Sequence, residues 1–499
     1  MMDAEVQRED GSRGLSRSRR VGVLLICSMS LFVVGLDVSI VNVALPSIGR
    51  DLEASVSGLQ WAVDAYTLVL ASLLILAGST ADRFGRKRTF LVGLVVFGAG
   101  SLACSLAASL GALVLFRVVQ GIGACMLSPI ALSIVTNTFT DARERAQAIG
   151  VWAAVFGVSM AFGPVLGGLL VNGLGWRSIF WINLPVGLVA IGLTLRFVPE
   201  SRAAKARRPD AVGQLLVSTL LASLIFAIIE APVRGWTSPW IVGAFTLAGA
   251  SLIGLLPWER HRAEPLIDPR FFRSVPFSGA ALIAVAAFAA LGGFLFLNTL
   301  YLQEVRGLSP LRAGLATLPM ALMAAVLPPV SGRIVGTRGA RVPLVIAGLG
   351  LTAGCAMLIH VTATTPIWWL FSGYVVFGSG FGFVNAPITN AAVAGMPRAQ
   401  AGVAGAIASA SRQVGQSLGV AVVGALVTAS LAVRVSTGSA GGSRFSHLAA
   451  ASQAGWWVLV GCGLAVLVLG LVVTSARARA TTVRTAHELN PEFLVGTAP

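Results

Sequence analysis

The sequence is poor in charge and nearly devoid of lysine. Only 11% of its 499 residues are Asp, Glu, Lys or Arg, against about 25% in a soluble protein. That scarcity excludes an ordinary water-facing surface. The two lysines are Lys87 and Lys205, and neither follows a glycine or precedes Ser or Thr. A P-loop is thereby excluded, and with it ATP hydrolysis through one. Histidine is scarce too. His261, His447 and His487 fall in loops or tails, and His360 lies at the end of an apolar run. No Ser/His dyad for a membrane-embedded hydrolase can be assembled from them. The five cysteines (Cys27, Cys104, Cys125, Cys355, Cys462) stand inside apolar runs without Cys-x-x-Cys or Cys/His spacing. They read as small buried hydrophobes, and neither a metal nor a cofactor is expected.

What the chain has is hydrophobicity. It is 56% hydrophobic, with a mean hydropathy of +0.84. Apolar stretches of about 20 residues recur, the length that crosses a bilayer. Fourteen are expected, over 21–45, 58–77, 89–108, 111–136, 147–171, 178–198, 211–230, 239–257, 277–303, 312–335, 342–360, 367–390, 401–433 and 455–475. The first is too long for a signal-peptide core and another span follows it, so it is kept as a span. The expected fold class is an all-α polytopic membrane protein. A net charge of +16 would suit nucleic acid if it lay on one soluble face. It lies instead in loops beside spans, so the expected partner is the lipid bilayer and not nucleic acid.

An even number of spans puts both termini on one side. With the N-terminus inside, 27 of the 36 Lys and Arg are cytoplasmic, seven are external, and Arg117 and Arg412 lie within spans. The positive-inside rule therefore predicts that both termini are cytoplasmic. Residues 1–20, with Arg8, Arg13, Arg17, Arg19 and Arg20, read as a poorly ordered cytoplasmic tail.

Three ionisable residues stand out inside the early spans. Asp37 lies in the outer half of span 1, Asp64 at similar depth in span 2, and Arg117 at comparable depth in span 4. An ionisable group there costs at least roughly 2.5 kcal/mol unless paired, hydrated or neutralised. One Arg and two Asp on neighbouring helices are expected to cluster. A structural ion pair and a proton-linked role both satisfy that cost, and for Asp64 interfacial hydration is equally open. Arg412, in span 13, must face protein or water. A buried structural role and a cavity-lining role both remain for it, as for Gln120, Asn385 and Gln413. No carboxylate in the membrane spans of the C-terminal half offers itself for proton handling.

Between spans 2 and 3 runs Gly78-Ser79-Thr80-Ala81-Asp82-Arg83-Phe84-Gly85-Arg86-Lys87-Arg88. Two apolar helices joined by so short a basic loop form a hairpin with a cytoplasmic turn. Gly78 and Gly85 are expected to supply the tight backbone. The stretch Ser331–Arg341, between spans 10 and 11, echoes it without the Asp. An offset of eight fits two six-span halves with spans 7 and 8 inserted, an internal repeat of the kind found in secondary transporters. The expected divisions are 1–20 (tail), 21–198 (first bundle), 199–276 (inserted pair with loops), 277–475 (second bundle) and 476–499 (tail).

These motifs carry a family resemblance. The loop with Gly78, Asp82, Arg83, Gly85, Arg86 and Lys87 resembles the span 2–3 signature of the major facilitator superfamily. Arg117-x-x-Gln120-Gly121 is similar to that family's span-4 motif, whose Arg is implicated in proton relay. Gly157, Gly163, Pro164, Gly167 and Gly168 resemble the span-5 motif that marks its antiporters. Trp176-Arg177-Ser178-Ile179-Phe180-Trp181-Ile182-Asn183-Leu184-Pro185, Tyr301–Pro310 and Ser411–Gly419 resemble the fourteen-span drug:proton antiporter branch. The resemblance covers roughly Val21–Ser475. It implies a monomeric proton-coupled exporter of small amphipathic compounds, working by alternating access without a cofactor. Export of a lipid, siderophore or secondary metabolite is the alternative; import or facilitation by the same fold is a weaker one. It also implies that Asp82 meets the positive N-terminus of span 13, near Ala401, and so locks one conformation.

Overall fold

Apolar length makes these helices, and glycine and proline decide where they stop. The computed structural model describes residues 16–202, 210–262, 265–394, 401–436 and 444–489. Among them, thirteen helical segments are long and apolar enough to cross a membrane. The 16-residue apolar helix Arg341–Ala356 stands where an eleventh span was expected. In chain order spans 1 to 14 are Arg17–Asp51, Val56–Phe84, Arg86–Ser105, Leu110–Thr138, Gln147–Leu174, Ser178–Phe197, Ala211–Arg234, Pro239–His261, Val275–Val305, Leu318–Arg338, Arg341–Ala356, Ile367–Val393, Val403–Val433 and Leu448–Val473. An amphipathic helix, Ala476–Leu489, follows. The even count places residue 17 and this last helix at one end of the bundle, here the terminal end; the other is the distal end.

Side-chain caps start several spans. Ser55 and Ser109 accept the N–H groups of Gly58 and Ala112 at 3.2 and 3.3 Å, donors that no intrahelical acceptor reaches. Proline breaks others. Span 4 is interrupted between Cys125 and Ser128, and span 12 between Gly382 and Asn385. Pro129 and Pro387 lie just past these breaks, in the first turn of each restarted helix; neither has an N–H to continue the ladder from the preceding segment. The two broken helices are eight spans apart, the offset already shown by the paired loops.

Those loops are tighter than the sequence suggested. Span 2 runs helically to Phe84, so Gly78 is a mid-helix residue and only Gly85 makes the turn, at φ 111°. Its counterpart Gly339 ends span 10 at φ 80°. Both φ values favour glycine, which has no Cβ to clash. Other boundaries differ as well. Span 1 begins at Arg17, so residues 17–20 are helix and not tail. Span 10 is preceded by a separate short helix, Pro310–Ala316, capped by Ser309. Span 11 ends at Ala356, and the last span's helix begins at Arg444. The expected tails before residue 16 and after 489, and the loop 203–209, lie outside the described residues.

Spans 1 and 3–6 pack on one another, and span 2 packs on span 4; spans 9–14 pack together likewise. The two sets meet along two seams, span 2 on span 13 and span 5 on span 10 with the short helix before it. Spans 7 and 8 pair with each other, and span 7 lies along the first seam. There Ile225 and Ile229 join Ala421, Trp61 and Leu418 in a small apolar cluster. Gln214 Nε2 donates to the Ser72 carbonyl at 2.6 Å, and Trp61 Nε1 donates to Glu230 at 3.0 Å.

Candidate functional site

The middle of the first helix set holds a buried ion pair. Arg117 Nη1 lies 2.5 Å from Asp37 Oδ2, with side chains 1% and 0% exposed. Spans 1 and 4 supply the pair, and both carboxylate oxygens of Asp37 accept hydrogen bonds. Gln120, one turn beyond Arg117, donates Nε2 to Asp37 Oδ1 at 2.8 Å and accepts from Arg117 Nη1 through Oε1 at 2.7 Å. Asn183 donates to Asp37 Oδ1 at 3.3 Å, and Ser101 accepts from both Gln120 and Asn183. Arg117 Nε donates to the Ala62 carbonyl at 3.1 Å, and the guanidinium lies 4.3 Å from the Tyr66 ring centroid. Removing one member of such a pair leaves a buried charge uncompensated, at a cost of about 3–5 kcal/mol.

The expected three-residue cluster is therefore two residues and a polar frame. Asp64 makes no ion pair among the described residues. It is fully buried on the span 2–13 seam, takes a hydrogen bond from Thr67 at 3.4 Å, and lies against Ser417 of span 13. The expectation that Gln120 lines a cavity is also corrected. It is 0% exposed and bridges Asp37 to Arg117. Sequence reading missed Asn183 and Ser101. Asn183 had a signal, a lone amide inside the Trp-Ile-Asn-Leu-Pro stretch; Ser101 had none.

The span-5 glycines do two jobs on two faces. A Cβ on Gly163 would lie 1.8 Å from Ser39 Oγ, and one on Gly167 2.7 Å from Ile40 Cγ1, both in span 1. On the other face, Gly168 sits against the Pro310 and Leu311 backbone. A Cβ on Gly314 would lie 2.1 Å from the Pro164 carbonyl oxygen. Gly157 approaches Ala325 of span 10. Helix 142–174 stays continuous through Pro164.

Polar clasps join the two sets at the distal end. Gln60 Nε2 donates to the Val420 and Ala421 carbonyls at 3.1 and 2.8 Å, its side chain fitting over Gly424. Gln303 Nε2 donates to the Val43 carbonyl at 2.8 Å. Arg50 bridges to Glu304 at 3.1 Å.

At the terminal end, Asp82 accepts from Arg86 Nε and Nη2 at 3.2 and 2.9 Å. Glu200 caps the start of span 3, accepting from the Lys87 and Arg88 N–H groups at 3.0 and 3.3 Å. Lys87 reaches the Leu195 carbonyl, and Arg83 stacks beside Phe84. Gly85→Ala is expected to lower stability by about 1–3 kcal/mol, because the backbone conformation disfavours a Cβ. That Cβ would also lie 2.7 Å from Glu200 Oε1. Gly78→Ala, in open space mid-helix, should be neutral or stabilising by up to about 1 kcal/mol. Thermal unfolding midpoints in detergent separate the two.

The second helix set holds Arg412, Gln413 and Asn385. Arg412 Nη2 donates to Thr389 Oγ1 at 2.8 Å, and its Cζ is 6.0 Å from the Phe288 ring. Gln413 Oε1 is buried without a partner, and Asn385 is half-buried at the restart of span 12.

A bundle of membrane-length helices, joined along two seams around a buried ion pair, defines a multi-pass membrane transporter. The Major Facilitator Superfamily model matches residues 27–420, and the chain belongs to that superfamily. It is 40% identical over 409 residues to the multidrug resistance protein Stp of Mycobacterium tuberculosis, covering 81% of this chain and 75% of that protein. It is 38% identical over 413 residues to the tetracenomycin C resistance and export protein of Streptomyces glaucescens, covering 82% and 76%. The methylenomycin A resistance protein of Streptomyces coelicolor is 38% identical over 412 residues, with 81% and 86% covered. Among solved structures, a D-xylose–proton symporter shares the fold at a TM-score of 0.63 and 16% identity, over 90% of this chain and 97% of that one.

Proposed function

We propose that the chain is a proton-driven exporter of small amphipathic compounds, with both termini in the cytoplasm. One observation carries the coupling: a carboxylate buried within a membrane span, Asp37, whose only ionic partner among the described residues is Arg117 of another span. An antiporter must not release its proton and its substrate independently. Ionised Asp37 holds spans 1 and 4 together through Arg117. A proton on Asp37 removes that attraction, while Arg117 keeps Gln120 and the Ala62 carbonyl. Protonation then loosens one helix contact and leaves Arg117 a buried cation with neutral partners only, a cost that favours a rearrangement of spans 1 and 4. The names of the relatives, all three resistance proteins and one of them also an export protein, support the outward direction.

The division into a first bundle at 21–198, an inserted pair and a second bundle at 277–475 fits this reading, with rocking along the two seams giving alternating access. The distal end, taken as external, is closed by the Gln60 and Gln303 clasps and by backbone contact at Gly168 and Gly314. This is the cytoplasm-facing state. The Asp82 lock on span 13 belongs to the opposite state, which accounts for Asp82 binding Arg86 within its own hairpin here.

Inside-out vesicles test the reading. Uptake of labelled amphipathic drugs should need an imposed pH gradient and collapse when the gradient is dissipated. Uptake that ignores the gradient would overturn proton coupling. Asp82→Asn should insert normally and lower turnover several-fold, with substrate affinity from the cytoplasmic side unchanged or increased. Normal turnover at equal membrane abundance would refute the lock.

A further inference from the structure

Among the described residues, one intramembrane cation is left over after the coupling site is accounted for. Arg117 is neutralised by Asp37. Arg412 is not. Between Phe277 and Ser475 the chain has a single carboxylate, Glu304. Glu304 sits at the distal end and is engaged by Arg50. Asp64, on the facing span 2, lies against Ser417, five residues further along span 13 and on a different face of it. Arg412 stands eleven residues into the helix Ala401–Ser436, about 16 Å from its start at the helical rise. That depth is within the hydrocarbon core, where a guanidinium stays charged and does not face lipid without a counter-charge.

Its described partners are all neutral. Thr389 Oγ1 and Ser409 Oγ accept from Nη2 and Nη1 at 2.8 and 3.4 Å. Nε is buried with no partner among the described residues. Nε is the vacant donor, and it lies on the Nε/Nη2 edge of the guanidinium, the edge that can hold a carboxylate bidentately. Thr389 holds that edge from one side. Phe288 lies 6.0 Å from Cζ and packs edge-on against Phe381 at 5.2 Å, so an aromatic wall stands beside the guanidinium. Gln413 Oε1, also without a partner, is the adjacent residue.

We propose that Arg412 is the docking point for an ionised acidic group on an aromatic ligand, a carboxylate or phenolate whose ring packs toward Phe288. If the exporter reading above holds, this makes aromatic acids a substrate class of the protein. The charge balance follows: the bound anion supplies the counter-charge that the second helix set lacks.

The test is equilibrium binding to the full chain in lipid nanodiscs, with empty nanodiscs subtracted and no gradient imposed. The probes are 1-naphthoate, its methyl ester and 1-naphthylmethylammonium. The wild-type protein should bind the naphthoate at least tenfold more tightly than the ester, and the ester more tightly than the cation. Arg412→Gln should lower naphthoate affinity at least tenfold and leave the ester unchanged. Arg412→Lys, which keeps charge but loses the fork, should fall between them. Equal naphthoate affinity in wild type and Arg412→Gln overturns the proposal, as does preference for the cation, or no naphthoate binding. The three-probe comparison on the wild-type protein stands even if Arg412→Gln fails to fold. Because no gradient is used, the outcome is separable from export. Naphthoate binding without gradient-driven uptake in vesicles would count against the exporter reading alone. Uptake of cationic drugs without naphthoate binding would count against this site alone.

Discussion

Asp37→Asn is expected to reduce proton-driven efflux to the level of vesicles without the protein, while substrate affinity stays within about threefold of wild type, a change of roughly 0.7 kcal/mol. Asparagine has nearly the shape of the carboxylate and can still accept from Gln120, so the frame of Ser101, Gln120 and Asn183 can persist. What disappears is the group that carries the charge change. Arg117 is then held in one state by Gln120, the Ala62 carbonyl and the Tyr66 ring. Substrate-induced proton release in proteoliposomes is the measurement, and full release from Asp37→Asn would remove this carboxylate as carrier and turn attention to Asp64. Arg117→Ala should damage coupling more than Asp64→Asn does. It strands Asp37 ionised in a site that is 0% exposed, whereas Asp64 already lacks an ionic partner among the described residues.

Gly314→Leu should abolish turnover by preventing closure of the distal end. The atoms that its Cβ would meet are the Pro164 carbonyl oxygen at 2.1 Å and carbon at 2.7 Å. Backbone atoms cannot rotate out of the way as a side chain can. Span 5 and the short helix Pro310–Ala316 must therefore move apart, and the Gln60 and Gln303 clasps lengthen with them. Overpacking of this kind costs typically 1–3 kcal/mol, which shifts a two-state equilibrium about 5- to 150-fold. Ala313, 4% exposed beside the contact, reports the shift. A cysteine placed there should react slowly with an impermeant maleimide in the parent background and rapidly with Gly314→Leu. Gly173→Ala, near the same end of span 5 in open space, serves as the control and should transport normally. Slow labelling and normal turnover of Gly314→Leu would show that this seam does not close the pathway.

These two experiments probe features that differ in how plainly the sequence shows them. Asp37 and Arg117 are conspicuous because an ionisable residue in an apolar run needs a reason, and opposite charges at matching depth supply one another's. The glycines of span 5 are conspicuous as a spacing, but spacing does not say what they touch. Only packing shows that Gly163 and Gly167 face span 1 while Gly168 faces the short helix before span 10. The amide clasps were not legible. Gln60 and Gln303 bond to main-chain carbonyls, and a carbonyl partner leaves no trace in composition.

The sequence by itself determined the number and order of the spans, the offset of eight between the halves, and the three ionisable residues from which the ion pair is drawn. Each depends on a property local to one helix: apolar length, a glycine or proline at a break, a charge at a given depth. Tertiary structure alone decided that Asp64 turns toward span 13 and away from Arg117, that Gln120 bridges the pair instead of lining a cavity, and that Arg412 meets no carboxylate. Depth along a helix can be counted from residue numbers, but its rotation about its own axis is set by the helices packed against it. Whether two charges at one depth meet is decided by that rotation.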